Sequence, residues 1–273
     1  MKKGQIYEGI IERVDFPNKG MIYIPEEEKY VTVKNGIPGQ EVRFMINKFK
    51  RGNGEGRLLE VLEKSPLETR EPVCSIFPAC GGCMYQTMSY EEQVKMKEGQ
   101  IHRIMDPVVK GDYIFESVKE SPKEFHYRNK MEFSFGDAYK DGPLSLGMHK
   151  RGSFYDIVSV SDCQIVDEDY RKILVMTQEH FKDCSFYHRL RHEGFLRHLL
   201  VRKAVKTGEI LVDLVTTSGA GMDIHPSVWE GFTQKFSSLE LKGTLAGILH
   251  TTNNSLADVV KDEGTKILYG QDY

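Results

Sequence analysis

Three cysteines fall within ten residues of this chain, as Cys74, Cys80 and Cys83 in the arrangement C-x5-C-G-G-C, and this cluster constrains the fold more than any other feature. Thiolates that converge on one ion or cluster need a compact loop, and Gly81 and Gly82 let backbone amides approach the sulfurs without a Cβ in the way. Pro78 stiffens the loop just ahead of them. A lone cysteine is ordinarily a small buried hydrophobe, but three so close together, in a chain with an odd total of five, point to metal or cluster binding. Cys163 is remote in sequence, yet it follows an expected strand, so the fold can carry it to the same centre as a fourth ligand. Cys184, between Asp183 and Ser185, reads as a packing residue. Four thiolates suit a tetrahedral zinc ion and a 4Fe-4S cluster equally well. Three close cysteines with one distant differ from the paired C-x2-C knuckles of familiar zinc sites and lean toward the cluster.

The surroundings of that loop are ordinary globular sequence. With 273 residues, 40% hydrophobic and 28% charged, two domains are expected, with cores of real size. No apolar run approaches the ~18 residues that span a bilayer, and Met1-Lys2-Lys3-Gly4-Gln5 lacks the apolar core of a secretory signal. The expected location is therefore the cytoplasm, with no membrane partner, where disulfides are disfavoured. A formal charge of -3 argues against a protein that coats nucleic acid indiscriminately and leaves room for a local basic face.

Residues 1–64 read as five short strands, Gln5–Val14, Met21–Ile24, Tyr30–Val33, Glu41–Lys48 and Arg57–Leu62. Val42, Phe44 and Ile46 alternate with polar or flexible neighbours, the period of a half-buried strand. Gly20, the Gly36–Gly39 stretch and Gly52-Asn53-Gly54 supply the turns, and the sum predicts a small OB-like β-barrel. Ser65-Pro66-Leu67 marks a boundary, and residues 65–273 are expected to form one α+β domain. Within it, Ser89 and Glu92 form a capping box for a helix that stops at Asp106-Pro107. Strands are expected over Lys130–Phe135, Leu144–His149, Phe154–Val160, Leu199–Val205, Ile210–Thr216 and Leu245–His250, with helices over Glu168–Asp183 and Pro226–Ser237.

A barrel followed by C-x5-C-G-G-C and a capped helix resembles the RNA uracil-5 methyltransferases, in the branch that carries an N-terminal TRAM domain. Tyr127-Arg128-Asn129-Lys130 looks like that family's Y-R-N-K motif, Gly194 to Leu199 with Arg202 looks like its G-x-L-R-H segment, and Val160 to Val166 resembles the stretch that holds its fourth cluster ligand. The resemblance implies that Cys74, Cys80, Cys83 and Cys163 hold a 4Fe-4S cluster, that residues 1–64 are a TRAM domain, and that the partner is ribosomal or transfer RNA. It also implies S-adenosylmethionine as methyl donor, bound in a C-terminal Rossmann-like domain. Neither the D-P-P-R-like nor the S-C-N-P-like motif of that domain is found, and the sequence ends at Gly270-Gln271-Asp272-Tyr273. The expectation is thus a front portion whose catalytic domain is absent, which binds no S-adenosylmethionine and is inactive alone.

Residues suited to phosphate contact are Lys48, Lys50, Arg51 and Arg57 on the barrel and Arg128 and Lys130 beyond it, although such residues are most often a solvated face. Phe125 and Tyr127 are candidates to stack on an extruded base, with core packing as the commoner fate. The run Val212 to Gly221 mimics a nucleotide-binding turn but lacks a third glycine. His188 and His192 have helical metal-ligand spacing without the glutamate of H-E-x-x-H. Two rivals remain at this point: a radical S-adenosylmethionine enzyme, whose C-x3-C-x2-C spacing differs, and a non-catalytic RNA-binding module stabilised by zinc or a cluster.

Overall fold

The structure, a computed structural model, describes residues 1–50, 52–218, 225–257 and 259–272. It divides into two compact units, Met1–Val73 with Met84–Pro122, and Cys74–Cys83 with Lys123–Tyr273.

In the first unit the strands are β1 (Ile6–Ile10), β2 (Arg13–Asp15), β3 (Lys19–Ile24), β4 (Lys29–Lys34), β5 (Glu41–Lys50) and β6 (Asn53–Glu63). They form one six-stranded sheet in the order β1-β5-β6-β4-β3-β2. Val42, Phe44 and Ile46 of β5 are wholly buried and pack with Ile22, Ile24, Val31 and Val33, as the alternation predicts. Gly56 of β6 is needed where it stands, because a Cβ there would meet the Phe44 ring at 2.8 Å. The barrel therefore has six strands rather than the expected five. The reason is local: the run expected as one strand, Gln5–Val14, breaks at Ile11, which is fully buried, donates its N–H to the Gln40 carbonyl (2.9 Å) and accepts from the Gly39 amide (2.7 Å). Those bonds take Ile11 out of the ladder and start a new strand.

Helix α1 (Tyr90–Met105) is capped by Ser89, whose side chain accepts from the Glu92 amide at 3.2 Å. It packs in this same unit. Gln100 is buried and donates to the Val14 carbonyl at 3.0 Å, and Arg103 reaches both that carbonyl (3.0 Å) and Asp15 (2.9 Å). Residues just after Ser65 are tied in as well, since Glu68 accepts from Gln40 and from Thr87, each at 2.8 Å.

The second unit holds β7 (Lys130–Asp137), β8 (Leu144–His149), β9 (Ile157–Ser159), α2 (Glu168–His180), β10 (Leu196–Lys203), β11 (Glu209–Thr216), α3 (Pro226–Phe236), β12 (Thr244–Thr252) and β13 (Thr265–Gly270). Its seven-stranded sheet has the order β13-β12-β11-β10-β7-β8-β9, antiparallel except for the β11/β12 pair. A parallel pair needs a crossover connection, and α3 lies within it. Phe133, Leu199, Val201, Val212, Leu214 and Ile248 from the sheet join Tyr170, Ile173, Leu174, Phe232 and Phe236 from the helices in one core. One buried charge is fully matched. Asp169, with no exposed surface, takes Lys203 at 2.6 Å and the amides of Lys242 (2.7 Å) and Gly243 (2.9 Å). Burial opposes its ionised form, but the lysine and the two amides outweigh burial and hold its carboxyl below the usual range.

Candidate functional site

All four expected ligand cysteines belong to the second unit. The loop from Cys74 to Cys83 is a succession of turns, with the Phe77 amide on the Cys74 carbonyl (3.2 Å) and the Ala79 amide on the Ile76 carbonyl (2.8 Å). It is pinned to the end of β8. The Gly81 amide donates to the His149 carbonyl (2.9 Å), the Arg151 amide donates to the Ala79 carbonyl (2.7 Å), and a single bridge pairs Cys80 with Lys150. A Cβ at Gly81 would stand 3.1 Å from that His149 oxygen, so the first glycine permits the close approach. Arg151 locks the far end, lying 5.5 Å over the Phe77 ring while its guanidinium donates to the Cys83 carbonyl.

Cys163 reaches the same place from the turn between β9 and α2, with its amide on the Val160 carbonyl at 3.0 Å. A direct tie joins the two loops: the Ser75 amide donates to Asp162 Oδ2 at 3.3 Å, linking the residue after Cys74 to the residue before Cys163. Hydrogen bonds from Ser75 hold the Asp162 carboxyl below its ordinary value. Cys74 and Cys163 are buried and Cys80 and Cys83 half-buried, and none of the five cysteines is in a disulfide.

The electrostatics of two of these thiols, Cys163 and Cys80, involves Cys74 and Cys83. Burial pushes the Cys163 thiol up to about 11, the thiols of Cys83 and Cys74 push it the same way, and the amides of Ile165 and Val166 oppose. Cys80 is raised by burial first and by Cys83 and Cys74 after that, against the Gly82 N–H, which lies 3.3 Å from its Sγ, and against Arg151. Cys163 and Cys80 thus resist ionisation partly because their neighbours could ionise, a situation that a bound cation or cationic cluster core reverses. Among the described residues, no three His, Cys, Asp or Glu side chains gather at metal-ligating spacing. Cys184 stands elsewhere, half-buried against the core beside Lys182, Asp183 and Ser185.

The basic candidates fall into two groups. Lys48, Lys50 and Arg57 are exposed on β5 and β6, with Lys48 Nζ 3.9 Å from Glu55. Arg51 lies outside the described residues. Arg128 and Lys130 are exposed in the second unit, where Arg128 Nε donates to the Lys130 carbonyl at 3.1 Å and Arg202 faces Lys130 across the β7/β10 ladder. Tyr127 is exposed and Phe125 half-buried. His188 and His192 sit in a turn, with the His192 amide on the His188 carbonyl at 2.7 Å, and not on a helix. Gly219 and Gly221 of the glycine-rich run lie outside the described residues.

Sequence reasoning missed the role of Arg197. It is buried, stacks 4.0 Å over Tyr187, and donates to the carbonyls of Asn253 (3.1 Å), Ser255 (2.7 Å) and Ala257 (3.0 Å). The L-R-H segment therefore builds the loop after β12 from inside. An arginine beside the apolar run Leu199-Leu200-Val201 was the available signal.

No family model matches the chain. Along its whole length it is 44% identical to a protein of Clostridium tetani and 41% identical to one of Caldanaerobacter subterraneus subsp. tengcongensis, each named an uncharacterized RNA methyltransferase. The chain spans 59% of the length of each. Among solved structures it resembles the Pyrococcus abyssi tRNA (uracil-54, C5)-methyltransferase in complex with S-adenosyl-L-homocysteine, with a TM-score of 0.64 and 21% identity, over 97% of this chain and 55% of that one. That likeness is one of fold. It corrects two expectations. The chain was expected to be an OB-like barrel and a central α+β domain defined by an absent Rossmann-like methyltransferase domain, whereas 97% of its α+β fold is matched by 55% of a methyltransferase solved with a cofactor product. The expected inactivity rested on that absence and falls with it, since the relatives aligned over all of the chain are named methyltransferases.

Proposed function

We propose that this chain serves S-adenosylmethionine-dependent methylation of uracil C5 in RNA, and that Cys74, Cys80, Cys83 and Cys163 hold a 4Fe-4S cluster. What supports the reading is that Cys80 and Cys163, remote in sequence, are both raised by burial and by Cys83 and Cys74, and that a hydrogen bond from Ser75 to Asp162 ties the two loops together. The names of the full-length relatives support RNA as substrate, and the neighbour's uracil and S-adenosyl-L-homocysteine support the base and the donor.

The donor set fits the cluster: four thiols, a Gly82 N–H on Cys80 Sγ, and the Arg151 guanidinium beside Cys80 and Cys83 to offset the negative charge of thiolate ligands. When bound, the cluster supplies iron–thiolate bonds, and so a covalent staple. The chain's own residues do the rest. Arg151 and the Gly81 amide hold the loop against β8, the Ser75–Asp162 hydrogen bond ties that loop to the turn carrying Cys163, and Arg128 and Lys130 are exposed just before and at the start of β7 for phosphate contact. On the barrel, Lys48, Lys50, Arg51 and Arg57 add sequence-independent affinity by releasing counterions. The methyl group comes from S-adenosylmethionine.

The test is made in cells. Deletion of the gene removes 5-methyluridine from at least one position of ribosomal or transfer RNA, read by mass spectrometry of nuclease fragments, and re-expression restores it. Unchanged 5-methyluridine at every position contradicts the reading, while the RNA that loses the modification identifies the substrate.

A further inference from the structure

Arg151 has three anchors and no carboxylate. Its amide donates to the Ala79 carbonyl at 2.7 Å, its guanidinium donates to the Cys83 carbonyl, and the same group lies 5.5 Å over the Phe77 ring. Lys150 beside it is exposed and has Asp156 at 3.9 Å, but among the described residues no carboxylate pairs with Arg151. The side chain is half-buried, and the groups that favour its charge are Cys80 and Cys83. Taking a cation out of water is repaid only by a negative group close by. Neutral thiols do not supply one, whereas four thiolates on a 4Fe-4S core form a dianion. The other loop carries the opposite charge. Asp162, next to Cys163, accepts from the Ser75 amide at 3.3 Å and from Gln164 Nε2 at 2.6 Å, which fixes its carboxylate beside that ligand.

We propose that Arg151 sets the reduction potential of the cluster without ligating it: its fixed cation favours the reduced form, which carries one more negative charge, and Asp162 opposes it from the other loop. This inference rests on the cluster reading above and adds a residue outside the ligand set. Three features make the field of Arg151 strong. The bond to Cys83 and the Phe77 ring hold the charge in one place, half-burial limits its screening by salt, and a guanidinium stays protonated at any pH the fold meets. The Gly82 N–H, 3.3 Å from Cys80 Sγ, acts in the same sense, since hydrogen bonds to the sulfurs also raise the potential. Asp162 is the weaker of the two charges because Arg171 partly offsets it. The balance of the two loops therefore favours the added electron.

The experiment uses the full chain, purified without oxygen and reconstituted with iron and sulfide. It is titrated with dithionite against mediator dyes, and the ~400 nm band and the electron paramagnetic resonance of the reduced cluster are followed. Arg151→Met removes the charge and keeps an apolar stem for Phe77. It is expected to lower the ratio of reduced to oxidised cluster at a given potential roughly tenfold, a midpoint ~59 mV more negative for one electron. Arg151→Lys keeps the charge and should stay within about threefold of the parent. Asp162→Asn keeps an acceptor for the Ser75 amide and should move the midpoint the opposite way, by less. An unchanged midpoint in Arg151→Met would overturn the inference and leave the cluster reading standing. Shifts of the same sign in Arg151→Met and Asp162→Asn would also overturn it, because lost packing moves both alike. If Arg151→Met retains no cluster, Arg151→Lys decides. A parent-like midpoint and iron content there support the role of charge, and loss of the cluster there makes the Cys83 contact structural and overturns it. If the parent itself takes up no iron and sulfide, the cluster reading fails and this inference falls with it.

Discussion

The cysteine loop and the outer face of the barrel carry their chemistry in opposite ways. Cys74, Cys80 and Cys83 are close in the chain, are held by turns and by the end of β8, and depend on burial. Lys19, Lys34, Tyr23 and Tyr30 are exposed, carry no sequence motif, and become a surface only through the β3/β4 register. Removing a residue from the first damages a folded structure, whereas a residue of the second already faces solvent and its removal leaves the fold intact. Burial is what separates the two cases, because an unpaired buried polar group costs far more than an exposed one.

The largest effect expected from this contrast is at the cysteines. Cys163→Ser should abolish cluster retention, seen as loss of absorbance near ~400 nm and of bound iron, because a remote ligand closes the staple between two loops. Cys184→Ser should leave both unchanged, and equal loss at Cys184 would show that buried thiols in general, rather than these four, govern the metal.

A smaller effect belongs to the second unit alone. His250 is stacked against Trp229 at 4.3 Å with its Nε2 2.8 Å from Thr216 Oγ1, and burial, with Lys266 adding to it, lowers its pKa to about 4. The unfolded chain then holds the extra proton at higher pH than the folded one. Stability is complete above the ordinary histidine value near 6.5 and falls as pH drops from there toward about 4. The loss should be on the order of 2 kcal/mol after allowing for partial exposure. Denaturant melts of parent and His250→Gln across that range measure it, and parallel pH profiles would exclude the histidine as the source.

The smallest effect is on the barrel surface. Lys48→Ala and Arg57→Ala should shift stability by no more than about 0.5 kcal/mol, since exposed charges and ion pairs contribute little. A loss of about 2 kcal/mol or more at either would mean that the surface is structural and the contrast with the cysteine loop is misplaced.

Legibility in the sequence follows the same division. The capping box at Ser89 and the alternation of β5 were readable because they depend on neighbours in the chain. The break at Ile11 was not, because it comes from hydrogen bonds to Gly39 and Gln40. Strand β13 escaped because Ile267 and Tyr269 are both half exposed, so it shows no inward-facing period. The cysteine spacing announced a site, but what draws Cys163 to it, the bond from Ser75 to Asp162, is a tertiary fact. Arg197 belonged to a motif of the resembled family and proved to be buried scaffolding.

Whether these four thiols hold iron and sulfide is tested most directly by quantifying metal and acid-labile sulfide in the full chain purified without oxygen. The prediction is about four irons and about four sulfides per chain, within the usual scatter of incomplete loading, with the brown ~400 nm band lost on oxidation. One zinc per chain with no sulfide, or no metal at all after reconstitution with iron and sulfide, would contradict it.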